Sequence, residues 1–345
     1  MEEMNKRIKE ISSIADHYLV KAMNVRSRYY DEFIVAAQIL KNVMTNTEFE
    51  YWCAEKMLLK QQEFAEKTFI QYAVESSAAR YFAEKHNENF KVEAKINPTN
   101  GKDVDIRFTN RGYTYNVEVK CSDFVSKETI DNQDGFKFST IGRLPDRGVE
   151  AVKTISLALD EGLIKKGEPL KPHLTSKNMD NNLKIFLELA HEKFNPTPVE
   201  SEVNILLVGC DDENDIQNWH YYLFAEQGLF TGSSFAEIKM YTNVDIVVFT
   251  NLYFKHNKYF EKMVRNSWTL EKSFNLVFSN PFRQLQKEKA IKNFLDFFPH
   301  FTWDLCNYTV PGDAPSYVKD SVRISWFVKG NLEKNKGLYL FSDNV

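Results

Sequence analysis

Two periods of hydrophobic residues divide the chain. Met4, Ile8, Ile11, Ala15, Tyr18, Ala22 and Val25 recur at steps of three and four, which is one face of a helix. Phe33, Ala37, Leu40 and Met44 set out a second helix, and Thr47 with Glu50 reads as a capping box for a long third helix reaching about His86. After His86 the period drops to two. Phe90, Val92, Ala94 and Ile96 alternate with Lys91, Glu93 and Lys95, and Val104, Ile106 and Phe108 alternate with Asp105 and Arg107. Tyr113, Tyr115, Val117, Val119 and Cys121 then alternate with Asn116, Glu118 and Lys120. Turn residues separate the three runs, so a helix followed by a three-stranded meander is expected.

Further along, residues 122–148 are polar and irregular, and helices are expected at about 149–163, 179–194 and 215–224. Between them, 203–208 and 244–249 are nearly continuous apolar runs, as in strands covered on both faces. The tail reads as a helix at 284–298 with strands near 274–278, 322–328 and 337–341. This order predicts an α/β fold. A helical N-terminal extension at 1–60 is expected to pack or dimerise. A core follows at 61–255, and a mixed α+β C-terminal region at 256–345 serves recognition or an interface.

Composition narrows the function. Hydrophobic residues at 43% supply a sizeable core, and a formal net charge of −4 is wrong for a protein that coats nucleic acid nonspecifically. It leaves room for an enzyme whose basic residues gather in one cleft, beside carboxylates that a cation must neutralise. Cys53, Cys121, Cys210 and Cys306 are scattered, with no Cys-x-x-Cys pair to suggest zinc. The first residues, MEEMNKRIKE, hold no apolar leader, and no run of about 18 apolar residues suggests a membrane span. A cytoplasmic protein is expected.

The meander carries the candidate chemistry. Glu118 and Lys120 share one face of the third run, and Asp105 in the second reaches the same face if the two strands pair. Two carboxylates and an ammonium suit phosphodiester hydrolysis, because Mg2+ takes oxygen ligands and a lysine adds charge beside the developing negative charge. Glu-x-Lys also occurs at Glu93–Lys95 and Glu237–Lys239, but only Glu118–Lys120 follows an acidic residue in a preceding apolar strand. The competing reading is an amphipathic hairpin with a surface ion pair. Asp103 has the same parity as Asp105, which is preferred because apolar residues flank it on both sides. Asp211, Asp212 and Asp215 follow an apolar run and read as a helix N-cap cluster.

Just before the meander, Glu75, Ala78, Tyr81 and Phe82 form E-x-x-A-x-x-Y-F. With it, the segments VESSAARYF, FKVEAKI, KDVDIRF and YNVEVKC resemble the PD-(D/E)XK nuclease superfamily. Its members run as a helix bearing Glu, a strand, a strand bearing Asp, and a strand ending in Glu-x-Lys. The resemblance covers about residues 64–121, with a core continuing to about 250, and Val104 stands where the family's name has Pro. It implies a restriction-endonuclease-like core, a mixed sheet flanked by helices. It also implies that Asp105 and Glu118 bind Mg2+, with Mn2+ able to substitute. Glu75 would be a further ligand, and Lys120 would assist the attacking water.

The function expected from this resemblance is a metal-dependent DNA endonuclease in restriction or host defence. It would act on double-stranded DNA as a homodimer or as a subunit of a defence complex. The alternatives are an RNA nuclease, or a catalytically silent nucleic-acid-binding or assembly subunit of the same fold. Lys127, Lys137, Arg143 and Arg147, in the irregular segment after the Glu-x-Lys strand, are expected to border the nucleic acid.

Overall fold

The alternation in residues 90–121 becomes three antiparallel strands, β1 (Lys91–Lys95), β2 (Asp103–Asn110) and β3 (Tyr113–Cys121), in the computed structural model. Residues 2–60, 63–122, 132–138, 146–175, 180–262 and 264–341 are described. Four helices precede the meander's own helix: α1 (Glu2–Glu10), α2 (Tyr18–Asn24), α3 (Arg28–Val43) and α4 (Asn46–Tyr51). Helix α5 (Glu66–Lys85) then leads into β1.

The long third helix expected up to His86 is broken. Its start is two residues earlier: Thr45 Oγ1 accepts from the Glu48 N–H at 3.2 Å, and Glu48 returns a carboxylate oxygen to the Thr45 N–H at 2.7 Å. Thr47 and Glu50 are not the box. After α4 the chain widens into a π-helical turn, Trp52–Lys56, and reverses at Leu58, whose φ is +55°. Met57, Leu58 and Leu59 are all buried, and three consecutive apolar residues cannot share one face of a helix. Thr45→Ala removes the reciprocal cap and is expected to cost about 1 kcal/mol, measured as a lower urea midpoint with an unchanged slope.

Beyond β3 come β4 (Phe136–Phe138), α6 (Asp146–Lys166), β5 (His173–Thr175) and α7 (Asp180–Lys193). Strands β4 and β5 pair with each other as a small parallel ribbon. The main chain of the core continues with β6 (Glu202–Gly209), α8 (Glu213–Phe224), β7 (Ile246–Thr250), α9 (Leu252–Asn257), β8 (Asn275–Ser279) and α10 (Glu288–Phe297). The main sheet has six strands in the order β1-β2-β3-β6-β7-β8. β3, β6 and β7 run parallel, while β2 and β8 are antiparallel to their neighbours. The protein is therefore α/β, with a mixed sheet flanked by helices, and β8 extends the sheet beyond residue 255.

Helices cover both faces. On one, Phe82 of α5 stacks on Phe108 at 4.5 Å between ring centroids, and Phe294 of α10 meets Tyr115 at 5.7 Å. On the other, Trp219 of α8 packs on Phe249 at 5.5 Å. The N-terminal helices join the same continuous core: Tyr29 packs on Tyr259 and Trp268, and Phe33 on Trp52 and Trp268.

The expected strands near 322–328 and 337–341 do not form. Residues Arg323–Trp326 make a short helix that widens into π-type turns over Phe327–Asn335. Ile324, Phe327, Val328 and Leu332 are buried at helical spacing, while Trp326 is half-exposed. In a run this short the same apolar residues satisfy either period. Leu340 and Phe341 dock without a ladder: the Leu340 carbonyl accepts from Asn251 Nδ2 at 2.6 Å, and Phe341 packs on Phe254 and Phe274.

Candidate active site

Strand register brings the carboxylates together. Ile106 pairs with Val117, so one step along the antiparallel ladder sets Asp105 opposite Glu118. On the other side, Val92 pairs with Ile106 and Ala94 with Val104, which sets Glu93 opposite Asp105. Three acids thus lie in one row across β1, β2 and β3. The ladder is modified there: the Asp105 carboxylate accepts the Val119 N–H at 2.7 Å, and Glu93 has φ +47°, a conformation that costs energy for a residue with a Cβ.

Glu118 is fully buried. The ammonium groups of Lys120 and of Lys193, the last residue of α7, each stand 2.6 Å from its Oε1. The two ammonium groups thus share one carboxylate oxygen. The adjoining row of polar side chains behaves differently. Asn116 donates to Glu202 at 2.6 Å and to Asn204 at 2.8 Å, and Arg107 donates to both Asn116 and Glu202. The fold therefore ties the Asn116 row together by hydrogen bonds and surrounds Glu118 with charge instead. Burial, then the Asp105 carboxylate, push the Glu118 carboxyl up, against the pull of Lys120 and Lys193. Burial works to lower Lys120, but Glu118 and Asp105 outweigh it and hold the ammonium charged.

This arrangement removes the reading of Glu118–Lys120 as a surface pair. Glu237–Lys239, with the same spacing, does have that fate: its ammonium lies 2.7 Å from the carboxylate and both side chains are exposed.

Glu75 enters from α5. Its neighbour Val74 lies over Gly209 and Cys121, at the carboxyl ends of β6 and β3, where a Cβ on Gly209 would sit 2.9 Å from Cys121 Sγ. Glycine there lets the helix and the strands close up, and the approach sets Glu75 at the same end of the sheet as Asp105 and Lys120. Glu75 is ion-paired with Lys56, whose ammonium also lies 2.8 Å from Glu93 Oε1. Burial, then the Asp105 charge, push the Glu75 carboxyl up to about 7, with Lys56 opposing. Its charge is also felt at Lys120.

Glu75 gives a pH prediction. Its carboxyl binds a proton more tightly in the folded chain than the ordinary value of 4.5, so the folded state holds more proton between about 4.5 and 7. Stability from this group is present below about 4.5 and is lost as pH rises through about 7. Glu75→Gln carries no such proton. Its stability relative to the native chain should rise between pH 5 and pH 8 by on the order of 1–2 kcal/mol, read from urea midpoints. A constant difference between the two proteins across that range would refute the assignment.

Among the described residues no group of three or more His, Cys, Asp or Glu side chains is gathered as a metal cage. Magnesium does not need one, since it is held by one or two carboxylates with water and phosphate oxygens completing its shell. Asp105 and Glu118 fit that requirement, since they lie opposite each other and Glu118 already gathers two cationic groups on one oxygen.

The other sequence-based candidates separate. Lys137 is exposed on β4, and Arg147 lies in α6 with its side chain outside the described atoms. Lys127 and Arg143 lie outside the described residues. Asp212 caps α8, accepting the Asp215 N–H at 2.7 Å, and Asp211 accepts from Asn257 Nδ2 at 3.0 Å. Lys193 and Lys56 are additions that the sequence did not reveal. Each reaches the acids from a helix distant along the chain, and a lysine near the end of an amphipathic helix carries no signal of its own. No family model, curated protein or solved structure matches this chain.

Proposed function

We propose that the chain is a metal-dependent phosphodiesterase acting on nucleic acid, with a restriction-endonuclease-like core and its centre at Asp105, Glu118, Lys120 and Lys193. The observation that carries this reading is the buried Glu118, opposite Asp105, with two ammonium groups on one carboxylate oxygen. The order of elements supports it, with the helix of Glu75, then β1, β2 with Asp105, and β3 with Glu118 and Lys120.

Asp105 and Glu118 would hold Mg2+, or Mn2+ in its place. The ion, when bound, supplies Lewis-acid polarisation of a phosphoryl oxygen and acidifies water. Asp105 is fixed for this by its bond to the Val119 N–H. Lys120, a quarter exposed, presents a compact charge to a phosphate arriving at the end of the sheet, and Lys193 holds Glu118 from the α7 side. The substrate we favour is double-stranded DNA.

The test is incubation of the purified chain with plasmid, linear duplex, single-stranded DNA and RNA, with Mg2+, with Mn2+ and with chelator. Metal-dependent cleavage that Asp105→Asn abolishes is the expected result, and the substrate cut decides between DNA and RNA. Binding without cleavage of any substrate would point to the silent subunit and end the enzymatic reading.

A further inference from the structure

A cavity of about 320 Å³ opens against the acidic row, bounded by β1, α4 and α5. Glu75, Glu93 and Lys56 line it, so the cavity adjoins the centre through the Glu93 end of the acidic row and through Glu75. The opposite walls are apolar, made by Met44, Trp52, Ala79 and Val92. Tyr51 stands at the cavity with its ring half-exposed. Trp52 is fixed in place: its indole N–H donates to Ser76 Oγ at 2.8 Å, and Phe33 and Phe49 stack on it. Asp103 also lines the cavity.

The chemistry of these walls selects an occupant. Four acidic residues, Glu48, Glu75, Glu93 and Asp103, line the cavity against one lysine, Lys56, so a phosphate is disfavoured inside. A flat, uncharged ring that donates hydrogen bonds suits both the apolar walls and the acidic lining. Recognition of a base outside the stack uses these two elements, an aromatic or apolar face and polar groups for the base edge. We propose that this cavity receives a single unpaired nucleobase of the substrate, one carrying an exocyclic amino group, with Tyr51 as its stacking face and the Asp103 carboxylate as the acceptor for the amino group. The assignment rests on the phosphodiesterase reading for its substrate class. It adds that the scissile phosphate lies beside a base withdrawn from pairing.

The test uses the full-length chain in chelator, so that no cleavage is involved. Binding of deoxyadenosine, deoxycytidine, deoxyguanosine and thymidine is measured by saturation-transfer NMR and calorimetry. The three amino-bearing nucleosides should bind about tenfold more tightly than thymidine, the worth of one hydrogen bond to a charged acceptor. Tyr51→Ala should weaken all four by about tenfold through lost stacking. Asp103→Asn, which can donate as well as accept, should erase the preference or turn it toward thymidine. Each variant is checked for native circular dichroism. Equal binding of all four nucleosides, no binding, or tighter binding of a simple quaternary ammonium probe would overturn the assignment. A protein that cleaves nucleic acid in Mg2+ but shows no nucleoside preference would lose the base pocket alone. The expected preference in a protein that cleaves nothing would keep the pocket and remove the phosphodiesterase.

Discussion

Glu118→Gln is expected to lower single-turnover cleavage by about 10²–10³-fold, because a carboxylate that holds the metal contributes several kcal/mol of charge stabilisation. Weaker Mn2+ binding should accompany the loss. The substitution also changes the balance of charge in the interior. Lys120 and Lys193 both stand 2.6 Å from Glu118 Oε1, and a neutral amide leaves them facing each other. Stranding a fully buried charge costs about 3–5 kcal/mol. Here the cost should be smaller, because the lysine side chains are 25% and 21% exposed and can turn toward water. The fold is therefore controlled separately. Adding Lys193→Met to Glu118→Gln removes one of the two opposed charges and should recover most of the urea midpoint. Cleavage should not recover. A double variant that is stable and cleaves at the native rate would show that Glu118 is only a structural counter-ion.

How far the sequence exposes this arrangement follows from the range of each signal. The alternation in β1 to β3 is local, and so are the Asp105, Glu118 and Lys120 positions that share its parity. The parallel strands β6 and β7 announce themselves as unbroken apolar runs, since both faces are covered. Three kinds of feature were not legible. The break between α4 and α5 depends on burying Met57, Leu58 and Leu59 together, which no periodicity records. The C-terminal helix at Arg323–Trp326 carries residues that fit either period, and only packing of Phe327 and Leu332 decides. The ion-pair partners are tertiary: Lys193 reaches Glu118 from α7, and Lys56 joins Glu75 to Glu93 from a π-helical turn. A charge at a helix end reads as solvated until the element it meets is known. The burial of Glu118 was hidden for the same reason, because the face that alternates polar in β3 is closed by α7.

Lys120→Met should slow the chemical step by about 10²-fold or more, as for other groups aimed at charge that develops only in the transition state, while Mn2+ affinity stays close to native. The second lysine makes this a clean experiment. With Lys120 gone, Lys193 still stands 2.6 Å from Glu118, so the buried carboxylate keeps a counter-charge and the fold should survive. Lys193→Met leaves Lys120 in place and should reduce the rate by less than tenfold, with its effect appearing in metal affinity if Lys193 orients Glu118. Lys120→Arg should not restore the rate, since a planar guanidinium delivers its charge in a different geometry from a compact ammonium. A purely structural pair would show its loss as a lower urea midpoint, since breaking a buried pair can cost about 3–5 kcal/mol of stability, while the folded variant would cleave within tenfold of the native rate, a barrier change under about 1.4 kcal/mol. Single-turnover cleavage under saturating Mg2+, beside calorimetric titration with Mn2+, separates the cases. A loss below tenfold for Lys120→Met, or a larger loss for Lys193→Met, would move the catalytic charge from β3 to the end of α7.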